Sequence, residues 1–356
     1  MKYITNNTFP AEQDNKGLTI FFPRLKEFEN STRVGLCGFR PSASMFFSHF
    51  KYNVLVIAMY GDYEKTLLDD ILALSNIRKD QHIVIPSTVN FPDEYVLPEN
   101  VHWIVTKSMY SVYTKNIKYV TKDRPPVKKQ FISVNHRFTW FRQELFYYLY
   151  THKLLDSSYF AYEADDRFNE GKDVLFKRAS DIIGDKKYID IEKACSLIPY
   201  KNFVEHNPPV KNAQVVDFRN IQDMYNTAAI GIESETFLED YLDYNPGLTE
   251  KTMRPLILGN PFLVYNNRGT LTTLKEMGFE TFNKIIDESY DDILNPQQRF
   301  EAILKEVGRL SKEDPAKLLH SVNDILDHNQ EHAMVTLVNQ AEQDEEAVYN
   351  LIKSLL

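Results

Sequence analysis

Cysteine is nearly absent from this 356-residue chain: only Cys37 and Cys195 occur, far apart and outside any C-x-x-C spacing. That excludes a disulfide framework and a cysteine-rich zinc site. Long apolar runs are missing too. The longest, Val54 to Tyr60, has seven residues, and the first residues contain no apolar stretch of signal-peptide type, so neither a membrane-spanning helix nor an export signal is expected. There is no excess of positive charge: 41 Lys and Arg stand against 50 Asp and Glu, net −9, which argues against a surface that grips nucleic acid everywhere. Three glycine signatures are lacking as well. Without G-x-x-x-x-G-K-[ST], G-x-G-x-x-G or G-x-S-x-G, the chain does not read as a P-loop NTPase, a dinucleotide-binding dehydrogenase or an α/β serine hydrolase.

What is present is globular composition, 43% hydrophobic and 26% charged, in a length that suits two ordinary domains. Val54 to Tyr60, an amphipathic stretch through Leu67, Leu68, Ile71, Leu72 and Leu74, and His82 to Pro86 read as strand, helix and strand, a βαβ unit. Val101 to Thr106 is the next strand. Asp123 to Lys129 carries two prolines among charges and interrupts the pattern, so a domain boundary is set there. The order then restarts. Gln130 to Val134 reads as a strand, Asn135 to Thr139 as a loop and Trp140 to Leu155 as a helix. Ala228 to Ile232 and Pro261 to Tyr265 are short apolar strands. A helix from Thr249 to Leu258 lies between them, with Thr249 as N-cap, and a further helix from Leu271 to Met277 closes at Gly278. From Pro315 onwards the pattern is helical. The expected fold class is α/β, with domains at 1–127 and 128–310 and C-terminal helices at 311–356 packing on both.

Two strings suggest metals. His328, Glu331 and His332 fit H-x-x-E-H, which would set two imidazoles on one helix face, though the alternative is a solvated helix face. Glu163, Asp165 and Asp166 resemble an acidic Mn²⁺-binding string, or an ordinary acidic loop. No metal site is assigned.

The richest chemistry lies between Ile230 and Asp292. Thr249, Glu250 and Lys251 open a helix, where unsatisfied N–H groups and the dipole favour an anion and a lysine adds to that preference. A carboxylate beside it suits the paired hydroxyls of a ribose. The plainer reading is a capped helix with a solvated Glu–Lys pair. Asn135 and Arg137 follow a strand, at the edge where open α/β sheets bind ligands, and Arg142 lies one turn into the next helix. Guanidiniums so placed suit a diphosphate; the alternative is pairing with surface carboxylates.

The strings IESETF (232–237), LTEKTMRPLILGNPFLVYNNRGTLTTLKEMGFETF (248–282) and DESYDD (287–292) resemble the donor-binding half of a fucosyltransferase-like glycosyltransferase family common in viruses and bacteria. SVNHRFTWFRQELFYYLYTHKLLD (133–156) is similar to the start of that family's same domain. The resemblance covers about residues 128 to 310. It implies a GT-B fold, two Rossmann-like domains facing a central cleft, the second binding a nucleotide diphosphate sugar of UDP or GDP type and the first offering the acceptor site. It further implies Glu250 on the ribose, Lys251 on a phosphate, Asn135 and Arg137 on the diphosphate or sugar, and Glu235 with Thr236 on the base or sugar side. Such folds usually work without a metal or other cofactor. The acceptor stays open between a saccharide, a protein and a hydroxymethylated base of viral DNA, for which Lys115, Lys118, Lys122, Arg124, Lys128 and Lys129 offer a basic patch or merely a solvated linker. Asp62, beyond the first strong strand, is the candidate general base, or else a helix N-cap. Cytoplasmic location is expected, in the host cytoplasm for a viral chain. The competing reading is a non-catalytic GT-B-like shell that binds a nucleotide or glycan.

Overall fold

The computed structural model describes residues 22–37, 52–57, 65–87, 91, 95–107, 124–137, 139–165, 197–203, 221–235 and 248–356. The chain is mixed α/β with parallel sheets and divides into two compact units, Met1–Lys115 with Val335–Leu356, and Asn116–Met334.

In the first unit, strands β1 (Val34–Cys37), β2 (Val54–Ile57), β3 (His82–Ser87) and β4 (Val101–Val105) form a parallel sheet in their chain order. Helix α1 (Lys65–Ile77) joins β2 to β3 and buries Leu68, Ile71 and Leu74, so the βαβ reading holds. Its C-terminal end is tied down by Asn100, whose Nδ2 lies within 3.1 Å of the carbonyls of Ser75, Arg78 and Gln81. Burying the apolar faces of Val34, Val54, Val56 and Val84 calls for a cover. Part of it is the 3₁₀ turn Pro23–Phe28, through Leu25 and Phe28.

In the second unit, β5 (Lys129–Arg137) is followed by α2 (Trp140–Thr151), β6 (Ser158–Asp165), β7 (Tyr200–Lys201), α3 (Gln222–Thr227), β8 (Ala228–Ser234), α4 (Glu250–Leu258), β9 (Phe262–Tyr265) and α5 (Thr270–Glu276). Helices α6 (Pro296–Leu310), α7 (Pro315–His320) and α8 (Asn323–Glu331) come next. The sheet order is β7-β6-β5-β8-β9; β7 is antiparallel to β6 and the other pairs are parallel. Asn135 to Arg137 belong to β5, with a register shift against β6, and not to the expected loop. The ladder continues because Tyr162 and Asp165 of β6 still offer it partners. Likewise Glu163 and Asp165 lie in β6, not in a loop; Asp166 lies outside the described residues. Helix α2 stops at Thr151, short of the expected Leu155, since Lys153 turns left-handed at φ 58°. An aromatic cluster fixes α2 and α6 to the sheet edge: Tyr265 sits 4.9 Å from Phe141 and 4.8 Å from Phe300 between ring centroids.

The C-terminal helical pattern is broken into pieces. After α8 the π-helical stretch His332–Thr336 leads into α9 (Leu337–Ser354), which belongs to the first unit. There Val348 and Ile352 complete the core over the first sheet. Polar contacts latch it: Arg24 N donates to Glu345 at 2.6 Å, Lys107 N to Asp344 at 2.7 Å, and Lys353 pairs with Glu27 at 2.8 Å. None of the helices in the described residues is long and apolar enough to cross a membrane.

Candidate functional site

The second sheet contains a switch in direction. From β5 the chain passes through α2 to β6 on one side, and later returns to lay β8 on the other side of β5. In open α/β sheets ligands bind beyond the carboxyl ends of the strands at such a point. Here those ends are Asn135–Arg137 and Ser234–Glu235. The first sheet runs in simple chain order, with no switch among its described strands.

Alternation along β8 sorts its last residues between two faces. Gly231 and Glu233 share the face covered by α3 and α4, where Asn260 reaches within 3.0 Å of the position a Cβ on Gly231 would take. Glu235 continues that face and meets the start of α4. Its Oε1 accepts from Thr249 N at 3.0 Å, Thr252 N at 3.2 Å and Thr252 Oγ1 at 2.6 Å; its Oε2 accepts from Thr249 Oγ1 at 2.5 Å. Thr249 is the N-cap as expected, with its hydroxyl accepting from Lys251 N at 3.3 Å. The anion that the helix start was expected to attract is therefore the chain's own Glu235. Glu250 and Lys251 follow, paired at 2.6 Å, with 34% and 16% of their side chains exposed. Burial alone would raise the Glu250 carboxyl; the charges of Lys251 and Arg254 and the Lys251 hydrogen bond outweigh it and hold the group at about 2.

Beneath this lies a buried charge network that sequence reasoning did not assign. Tyr225 donates to Glu233 at 2.5 Å, Arg254 pairs with the other Glu233 oxygen at 3.2 Å, and the guanidinium sits 5.4 Å from the Tyr225 ring centroid. Burial pushes the Glu233 carboxyl up, while Arg254 and Tyr225 pull it back only in part. Burial also raises Tyr225 far above the usual phenol range. The signal was legible: two carboxylates at alternate positions in an otherwise apolar strand demand buried partners. Among the described residues, three carboxylates, Glu233, Glu235 and Glu250, stand against the cations Lys251 and Arg254 on this side of the site, with no positive surplus.

The opposite face carries α2. Asn135 is buried and donates to Ser133 Oγ at 3.0 Å, and Ser133 donates to the Ile232 carbonyl at 2.6 Å, linking β5 to β8. Arg142, in the first turn of α2, is 1% exposed, and its Nη2 donates to the Ser234 carbonyl at 2.6 Å. It is a buried tie to the end of β8. Arg137 is the last residue of β5. Asn135, Arg137, Arg142, Glu235, Thr249, Glu250 and Lys251 thus come from strand ends and helix starts around the β5/β8 switch. Thr236 and Asp62 lie outside the described residues, as do Lys115, Lys118 and Lys122 of the basic patch.

The H-x-x-E-H string has a structural use. His328 and His332 rings stack 5.9 Å apart, with Nε2 at 3.0 Å from the Gly278 carbonyl and 2.7 Å from the Met277 carbonyl. Asn329 bonds both the N–H and the carbonyl of Glu280, and Gln330 donates to Ile257 O. This face of α8 clasps the C-terminal ends of α4 and α5. Among the described residues, no group of three or more His, Cys, Asp or Glu side chains is arranged to hold a metal ion.

Compared with protein-family models and with curated proteins, the chain matches none.

Proposed function

We propose that this chain is a glycosyltransferase of GT-B type that moves a sugar from a nucleotide diphosphate sugar to an acceptor hydroxyl without a metal. The observation that carries the reading is the gathering of Asn135, Arg137, Arg142 and the Glu250–Lys251 pair around the switch between β5 and β8. Glu250 is ionised and partly exposed, which suits two ribose hydroxyls. Taking them displaces Lys251, whose ammonium then faces the diphosphate. Arg137 and Arg142 supply the positive charge that the α4 side lacks. In the reaction the acceptor oxygen bonds to the anomeric carbon, the bond from that carbon to the diphosphate oxygen breaks, and a base takes the hydroxyl proton. In this reading the second unit holds the donor, the first recognises the acceptor, be it glycan, protein or hydroxymethylated DNA base, and Asp62 is the candidate base. The nucleotide leaves as a diphosphate whose charge the arginines offset.

The test is a thermal-shift screen of wild type and Glu250→Ala against UDP, GDP, CDP, ADP and their sugar conjugates with EDTA present. A ligand at a hundred times its Kd stabilises by about 2.7 kcal/mol. The expected result is a shift with one nucleotide class that disappears in Glu250→Ala, together with sugar transfer that Lys251→Ala abolishes. Binding without transfer or donor hydrolysis supports the non-catalytic shell instead, and no shift with any nucleotide removes the donor reading.

A further inference from the structure

The first unit carries a histidine pair at the amino end of its sheet. His82 Nδ1 lies 3.1 Å from His102 Nε2, with ring centroids 5.3 Å apart. The strand register fixes where the rings stand. Val54 pairs with His82 and Val84 with His102, so both imidazoles leave the face that carries Val34, Val54, Val56 and Val84. That face is covered by α9, through Val348 and Ile352. Helix α9 runs against the strands. Lys107, just past β4, bonds Asp344 in its first half, and the guanidinium of Arg33, just before β1, donates to the Leu356 carbonyl beyond its last turn. The helix therefore finishes at the end of the sheet where His82 opens β3.

Two imidazoles at this distance share one proton well, one ring donating its N–H to the bare nitrogen of the other. A second proton removes the acceptor and sets two positive charges side by side. Among the described residues, no carboxylate bonds to either ring. The charged groups on the surrounding elements are paired elsewhere or exposed. Before β3, Arg78 pairs with Asp80 and Lys79 is exposed, as is Glu99 before β4. On the 3₁₀ turn, Arg24 pairs with Glu346, Glu27 with Lys353 and Tyr349, and Lys26 is exposed. On α9, Glu345 accepts from Arg24 N, and Asp344, whose carboxyl burial raises, accepts from Lys107 N. The carbonyl end of α9 favours a cation and already holds Arg33. Burial, and after it the charge of His82, lowers the His102 ring below its ordinary 6.5. A histidine held neutral in the fold contributes stability that is complete above 6.5 and is lost as pH falls below it, because the unfolded chain takes up the proton more readily.

We propose that His82 and His102 form an acid-sensitive switch in the first unit. With one proton between them the pair braces β3 against β4 on the face that α9 covers. With two, the rings repel, the brace is lost and the hold of α9 on the sheet loosens. The inference is independent of the donor reading, which rests on the second unit.

The test is amide hydrogen exchange on the full chain at about pH 7.5 and about pH 5.5, corrected for intrinsic rates, in wild type, His82→Gln, His102→Gln and the double variant. In wild type the opening of β4 and α9 is expected to rise about fivefold at the lower pH, as a like-charge repulsion at the upper end of the range for half-exposed pairs produces. In the three variants the second charge never forms, and the rise is expected to fall below about twofold. A second readout follows the ring resonances: in His82→Gln, His102 is expected to titrate closer to 6.5 than in wild type, which a role in packing alone would not produce. The switch is overturned if wild type shows no rise, if both single variants keep the full rise, or if His102 titrates identically with and without His82. Where a glutamine variant does not fold at neutral pH, the wild-type titration decides: two separated steps support the pair, and two coincident steps overturn it.

Discussion

Two helices begin on opposite faces of the end of β8, and the chain treats their starts differently. At α4 one carboxylate, Glu235, accepts four hydrogen bonds from Thr249 and Thr252, and Thr249 caps Lys251. At α2 the N-cap residue, Thr139, makes no cap bond, and the buried hydroxyls of Thr139 and Ser234 stand without partners. A helix start that the chain saturates with its own groups serves stability; one left uncapped takes less support from its own side chains. The backbone physics is the same at both starts, and the neighbouring side chains decide the difference.

The largest effect is expected below α4. Arg254→Ala leaves Glu233 buried and unpaired, which costs about 3–5 kcal/mol, and denaturant unfolding would show it as a lowered midpoint with unchanged slope. Replacing Glu233 as well, with methionine, should recover part of that loss. Next comes Glu235→Gln, which keeps the shape but loses the charge that four donors address. A loss of about 2 kcal/mol is expected, and the same measurement with no change would mean that Glu235 is not the anchor of α4. Smaller, but more telling for the comparison, is a matched pair. Thr249→Ala should cost about 1 kcal/mol as an N-cap substitution, whereas Thr139→Ala should cost close to nothing. Equal losses would erase the contrast between the two helix starts.

The smallest effect is one of pH. Because the folded Glu250 carboxyl is held at about 2 against an ordinary 4.5, its contribution to stability is present above 4.5 and is lost as pH falls towards 2. The stability gap between wild type and Glu250→Gln should therefore narrow across that window on acidification. A gap constant from neutral pH down to 2 would show that the Lys251 pair, a third exposed on its acidic side, contributes nothing measurable.

Much of both sheets was legible from local pattern. The strands around Val54, His82, Val101, Phe131, Ile230 and Leu263 announced themselves as short apolar runs, and Thr249 and Gly278 marked a helix start and a helix end. At Gly278 the φ of 94° and the His332 ring, 2.6 Å from where a Cβ would sit, leave room for glycine alone. Three features escaped. Strand β6 carries Glu163 and Asp165, so its acidic string read as a loop; the ladder with β5 overrides that local preference. Asn135 to Arg137 read as a loop because polar residues at a strand end look the same as a turn until the neighbouring strands are known. Glu235 read as a ligand contact since nothing local reveals that the donors it faces begin with Thr249, fourteen residues on.

The sequence by itself determined the alternation of strands and helices, the absence of a cysteine framework, and the caps at Thr249 and Gly278, since these follow from periodicity, composition and backbone preference within a few residues. The tertiary structure alone decided the strand order with its switch at β5, the return of α9 to the first unit's core, the use of His328 and His332 as clasps for helix ends, and which helix start is saturated. Those depend on which distant groups meet, and burial and charge compensation act through space, between residues that no local pattern connects.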